Sequence, residues 1–158
     1  TYFLNNLNLR DNILLPALKA SPKQKSQTLT LVDRLLERFG IAQVADHGIT
    51  QVSGGQLQRA SICRALVNQP AVIFADEPTG ALNSAMAKDV MDTFSETHRD
   101  GASIVMVTHS AACAARADRV IYLRDGQIVD QFDLGRWCSS LSQQRENQLL
   151  NRLSRHGF

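Results

Sequence analysis

The chain has 158 residues, 44% hydrophobic and 20% charged, which suits one globular domain with a real core. Its net charge of +2 is too small to mark a nucleic-acid surface, so no nucleic-acid partner is expected. No apolar run approaches the roughly 18–20 residues that span a bilayer, so any membrane role falls to a partner. The scattered cysteines, Cys63, Cys113 and Cys138, form no C-x-x-C pair and no metal site, and they fit a reducing compartment.

From the N-terminus, Asp11-Asn12-Ile13-Leu14-Leu15-Pro16 predicts a short helix stopped near Pro16. Residues 21–25 predict a polar turn. Leu29, Val32, Leu35, Leu36 and Phe39 recur at helical spacing and predict an amphipathic helix closed by Gly40. A loop over 46–52 leads to a helix from Ser53 through Leu66, stopped at Asn68-Gln69-Pro70. The apolar run 71–75 has strand length and predicts a strand buried on both faces of a parallel sheet. Asp76-Glu77-Pro78 follows it directly. Residues 84–99 predict a helix burying Val90, Met91 and Phe94, and residues 103–107 a second buried strand that ends at Thr108-His109. Ser110 opens a short helix to Arg116. Residues 119–123 and 127–132 predict a hairpin around Arg124-Asp125-Gly126, and 141–153 a polar terminal helix. There is no internal repeat. The strand–helix alternation predicts an α/β fold with a mostly parallel sheet. Chemistry in such folds sits at the carboxyl ends of strands, where Asp76, Glu77 and His109 fall.

Four stretches carry the chemical signal. In Val52-Ser53-Gly54-Gly55-Gln56-Leu57-Gln58-Arg59, Ser53 and Gln56 have the S-x-x-Q spacing of a capping box. The glycines allow close approach to the helix N-terminus, whose N–H groups and dipole favour an anion such as phosphate. S-x-x-Q by itself is a helix cap and no more. Val72-Ile73-Phe74-Ala75-Asp76-Glu77-Pro78 is an apolar strand ending in two acids. The first acid suits Mg²⁺ and the second an attacking water, although an acidic turn reads the same way. Thr79-Gly80-Ala81-Leu82-Asn83-Ser84 is a helix entry with a cap at Asn83 or Ser84. His109 is a lone histidine at a strand end.

Taken together, these stretches resemble the ATPase subunits of ABC transporters. The octapeptide is similar to the signature motif L-S-G-G-Q-x-Q-R and departs from it only at Val52. Residues 72–78 resemble the Walker B motif, with Asp76 lying 23 positions after Ser53. Residues 79–84 resemble the D-loop, with Asn83 in place of the usual acid, so hydrogen bonding is kept and charge is lost. His109 resembles the switch histidine. Residues 8–16 look like the segment that follows the Q-loop glutamine. Residues 77–84 and the tail from Arg145 resemble the subgroup that powers lipoprotein release, macrolide efflux and antimicrobial-peptide export, in its Gram-positive members.

The resemblance implies a P-loop NTPase-like fold. Residues 1–69 would be the helical subdomain and signature helix, 70–135 the core from Walker B to the switch, and 136–158 a C-terminal tail. It implies ATP and Mg²⁺ as cofactors. Asp76 would hold Mg²⁺ mainly through water, Glu77 and His109 would be catalytic, and Ser53, Gly54, Gly55 and Gln56 would contact ATP on an opposite subunit. The implied partners are a second ATPase subunit, head to tail, and a separate membrane permease at the cytoplasmic face of the plasma membrane. No G-x-x-x-x-G-K-S/T phosphate loop occurs in these 158 residues, and the chain begins at Thr1, so a C-terminal fragment, inactive by itself, is expected. The alternative is a non-hydrolytic remnant that pairs with an intact subunit. A soluble ABC ATPase of DNA repair or translation fits less well, because neither a long coiled-coil insertion nor a tandem domain is present.

Overall fold

The structure, a computed structural model, describes residues 3–20 and 25–156, and the turn expected at 21–25 lies outside them except for Lys25. The chain divides into two compact units, Thr1–Val105 and Met106–Phe158.

In the first unit, α1 (Leu9–Ala20) starts with its free N–H groups satisfied. Leu9 and Arg10 donate to the carbonyls of His47 and Ala45 at 3.0 and 2.8 Å, and Asp11 N–H donates to Asn8 Oδ1 at 2.8 Å. Asn12, 1% exposed, uses both ends of its amide: Oδ1 accepts from Leu4 N–H, and Nδ2 donates to the carbonyls of Leu4, Leu7 and Asn8. The helix does not stop at Pro16, as the sequence predicts, but runs through it to Ala20. An interior proline costs about 3 kcal/mol. Burial of Leu9, Ile13 and Leu14, worth about 1.5–3 kcal/mol each, outweighs it.

α2 (Lys25–Arg38) buries Val32, Leu35 and Leu36. It ends in a Schellman turn: Gly40, at φ 60°, donates to Glu37 O, and Ile41 donates to Leu36 O. Short 3₁₀ turns at Ala42–Val44, before the predicted loop, and at Ile49–Gln51, within it, lead to α3 (Gly54–Leu66). These three helices pack on one another.

β1 (Val72–Asp76) pairs with β2 (Ser103–Val107) in a two-stranded sheet, joined by α4 (Ser84–Arg99), which buries Val90, Met91 and Phe94 as predicted. The boundary between the units falls inside β2. The strands are not buried on both faces. Ile73 is buried, but Phe74 is 81% exposed, and Val72 and Val105 are about half exposed. Alternate residues of a strand face opposite ways, and nothing among the described residues covers the face that bears Val72 and Phe74.

In the second unit, α5 (Ala111–Ala114) is a single turn capped by Ser110, whose Oγ accepts from Cys113 N–H. β3 (Arg119–Arg124) and β4 (Gln127–Asp133) form the predicted hairpin. Asp125 and Gly126 both have positive φ, 52° and 75°, the conformation of a type I′ turn. Tyr122 pairs with Asp130 but Leu123 with Ile128, so Val129 is an extra, bulged residue. Phe132 and Ala115 pack against Leu149 and Leu153 of α6 (Ser142–Leu153), so the terminal helix is polar on one side only.

Arg145 of α6 is 4% exposed, and it donates to the carbonyls of Ala115, Ala117, Gly135 and Arg136 at 2.8–3.1 Å. Arg145→Ala is therefore expected to lower stability by about 3 kcal/mol, because the buried carbonyl of Ala115 and three partly buried carbonyls lose their charged donor. A urea midpoint equal to the wild type would refute this.

Candidate functional site

Ser53, at φ −72° and ψ 160°, caps α3 with both halves of the predicted capping box. Its Oγ accepts from Gln56 N–H at 3.3 Å, and Gln56 Oε1 accepts from Ser53 N–H at 2.7 Å. Ser53 and Gly54 are exposed, while Gly55 and Gln56 are half-buried. The two glycines do different work. A Cβ on Gly54 would meet nothing within 4 Å, so the helix end is open there. A Cβ on Gly55 would lie 3.5 Å from Ala81 O and 3.7 Å from the Leu82 side chain, so α3 runs close to the 81–82 turn there, with space for about one methyl group between them.

Asp76 is the last residue of β1 and is exposed, and Glu77, half-buried, follows at φ 43°. Left-handed backbone at a residue other than glycine is strained by about 1–2 kcal/mol and persists only where its surroundings hold it. Here the hold is visible. Glu77 O accepts from Gly80 N–H at 3.1 Å and from Gln58 Nε2 at 3.0 Å, and Gln58 Oε1 accepts from Ala81 N–H at 3.2 Å. The turn after β1 is thus clamped by a side chain of α3. It ends at Asn83, whose Oδ1 accepts from Met86 N–H at 3.0 Å. Of the two candidate caps, Asn83 is the one used. An open groove of about 400 Å³ runs beside Asp76, lined in part by Leu57, Gln58, Ile73 and Phe94.

The first unit therefore brings together the α3 N-terminus and the Asp76-Glu77 turn. His109 belongs to the second unit, where it is exposed between β2 and the Ser110 cap of α5. Ser110 N–H donates to Thr108 Oγ1 at 3.1 Å, which fixes the backbone that follows His109.

Two further residues matter that the motif reading left without a role. Gln58 is the clamp just described. Arg59, 8% exposed, donates to Phe39 O at 2.8 Å, Gly40 O at 3.4 Å and Gly55 O at 3.3 Å. It ties the start of α3 to the closing turn of α2. Both lie inside the signature-like octapeptide, one turn after Gly54 and Gly55, and that placement was the available signal. One turn further on, burial pushes the Cys63 thiol up to about 12, so it is an inert core group.

Solved structures share this fold. A dimeric ATP-binding cassette in a post-hydrolysis state, bound to ADP and phosphate, superposes with a TM-score of 0.76 at 31% identity, over 85% of this chain and 60% of that one. A dimeric bacterial ABC transporter cassette gives a TM-score of 0.75 at 31% identity, with the same coverage. The architecture is the P-loop NTPase-like α/β fold of ATP-binding cassettes. The sequence profile of the ABC transporter family matches residues 2–80, and the chain belongs to that family. Among its relatives, the macrolide export ATP-binding/permease protein MacB of Neisseria meningitidis serogroup A is 44% identical over 126 residues, 80% of this chain and 19% of that protein. The MacB of Rhodospirillum rubrum is 45% identical over 126 residues, with the same coverage. The chain thus spans about a fifth of the length of these curated relatives.

Proposed function

We propose that this chain supplies the signature and hydrolytic parts of an ATP-binding cassette that drives transport through a membrane permease. The observation that carries the reading is the pairing, in one unit, of an open, capped helix N-terminus with a strand that ends at Asp76 and is followed directly by Glu77. In a head-to-tail dimer, Ser53, Gly54, Gly55 and Gln56 meet the γ-phosphate of the ATP bound to the partner subunit. The N–H groups and dipole of α3 there stabilise its negative charge. Glu77 takes a proton from the water that attacks the γ-phosphorus, the bond to the β-phosphate oxygen breaks, and ADP and phosphate form. His109 donates a hydrogen bond to the transferring phosphoryl group.

The residues present suit Mg²⁺. Among the described residues no three His, Cys, Asp or Glu side chains gather to hold a metal alone. One exposed carboxylate, Asp76, suits an ion that keeps most of its waters and takes other ligands from phosphate. When bound, Mg²⁺ would neutralise charge on the phosphates.

No described helix is long and apolar enough to cross a membrane. As the family resemblance implies, the reading places the cassette at the cytoplasmic face of the plasma membrane, held by a permease. We take that permease to be a separate polypeptide, although the names of the MacB relatives join both functions in one protein. The exposed strand face of β1 and the groove beside Asp76 are where the rest of a cassette, including its phosphate loop, would pack.

The purified 158-residue chain is expected to show no ATP turnover, because no lysine-bearing phosphate loop occurs in it. A complete cassette that contains it is expected to be active. Magnesium-dependent turnover by the 158-residue chain, abolished by Glu77→Gln, would overturn this division of labour.

A further inference from the structure

Gln58 bridges two places that, on the reading above, serve different ATP molecules. It lies two residues past Gln56 on α3, the helix whose N-terminus would meet the ATP of the partner subunit. Its amide holds both ends of the turn that carries Glu77, the base for the ATP of its own subunit. Nε2 donates to Glu77 O at 3.0 Å and Oε1 accepts from Ala81 N–H at 3.2 Å. Only one orientation of the amide makes both bonds, so the contact is directional.

The receiving end is also sensitive to it. Glu77 sits at φ 43°, a conformation that relaxes unless its surroundings over-determine it. Glu77 O keeps a local bond from Gly80 N–H, whereas Ala81 N–H has Gln58 Oε1 as its acceptor. The sending end is stiff. Gln58 lies within the first two turns of a 13-residue helix, and Arg59 anchors the next residue to Phe39 O. At Gly55 the gap between α3 and Ala81 O would be filled by a single added methyl group, so the helix and the turn also run close together there. A displacement of the α3 N-terminus is therefore delivered to the Glu77 backbone through one side chain.

We infer that Gln58 is a positioning residue that couples the ATP contacted by the signature helix of a subunit to the catalytic carboxylate of the same subunit. This rests on the proposed roles of Ser53–Gln56 and Glu77.

The test uses complete cassettes assembled as mixed dimers with one working base. In the first dimer, one subunit carries Gln58→Met and its partner carries Glu77→Gln, so the working Glu77 lies on the chain that lacks the clamp. In the second, one subunit carries both Gln58→Met and Glu77→Gln and its partner is wild type, so the working Glu77 keeps its clamp and its ATP meets the altered α3. The first dimer is expected to lose about tenfold in kcat with KM for ATP nearly unchanged, the second to match a dimer with Glu77→Gln alone. Loss confined to the second dimer would make Gln58 a support for the signature helix. Equal loss in both would make it a general structural residue, and no loss in either would leave the clamp without function; each of these overturns the inference. Retained activity in the second dimer also shows that the Gln58→Met chain folds. If instead the homodimer of Glu77→Gln turns over like wild type, it is the role of Glu77 that fails.

Discussion

Replacing Glu77 by glutamine in a complete cassette is expected to cut ATP turnover by about 10²–10⁴-fold while ATP still binds. Glutamine keeps the shape and one acceptor oxygen but cannot take the proton of the attacking water. General base catalysis is worth about that factor, or about 3–5 kcal/mol of barrier. The substitution leaves in place the backbone bonds that hold the strained turn, those at Glu77 O and Ala81 N–H. Bound, uncleaved ATP should then keep the two subunits together, so the variant should dimerise with ATP more stably than wild type. Asp76→Asn is the contrast, since it should weaken magnesium-dependent nucleotide binding itself. Rates and dimerisation measured side by side separate the two. A Glu77→Gln enzyme within a few-fold of wild type would remove Glu77 from the reaction.

Ser53→Arg in the same cassette is expected to abolish turnover with little loss of stability. Ser53 is exposed at the open end of α3, where Gly54 leaves room for a phosphate, and an arginine side chain would fill that space. Losing the capping oxygen costs only about 1 kcal/mol, and a cation at the positive helix end adds a few tenths to about 1 kcal/mol more. The thermal midpoint should thus fall by a few degrees while activity disappears. Wild-type hydrolysis in the variant would argue against the α3 terminus as a nucleotide contact.

Elements set by local chemistry were readable in the sequence. Ser53 and Gln56 announce the start of α3, Gly40 the end of α2, and Asp125-Gly126 the tight turn of the hairpin. What depends on distant neighbours was not. Pro16 reads as a helix stop because the stretch does not show that Leu9, Ile13 and Leu14 will be buried against other helices. The run 71–75 reads as a doubly covered strand because its composition suits a complete sheet, whereas the described residues cover one side. The positive φ of Glu77 has no glycine to signal it, and the amide of Gln58 finds its partners 19 and 23 positions away. For the candidate site, the residue types and their order were visible, and their mechanical linkage was not.

The grip of Arg59 on α2 bears on how the site responds to ionic strength. Its hydrogen bonds run to the carbonyls of Phe39, Gly40 and Gly55, neutral dipoles in a buried place rather than a carboxylate at the surface. Mobile ions weaken exposed pairs such as Lys88 with Asp92, but they have little access to a contact of this kind. Arg145 is held in the same manner in the second unit. Both anchors should therefore keep their geometry from dilute buffer to concentrated salt, leaving α3 aimed the same way while the surface charges around it are screened.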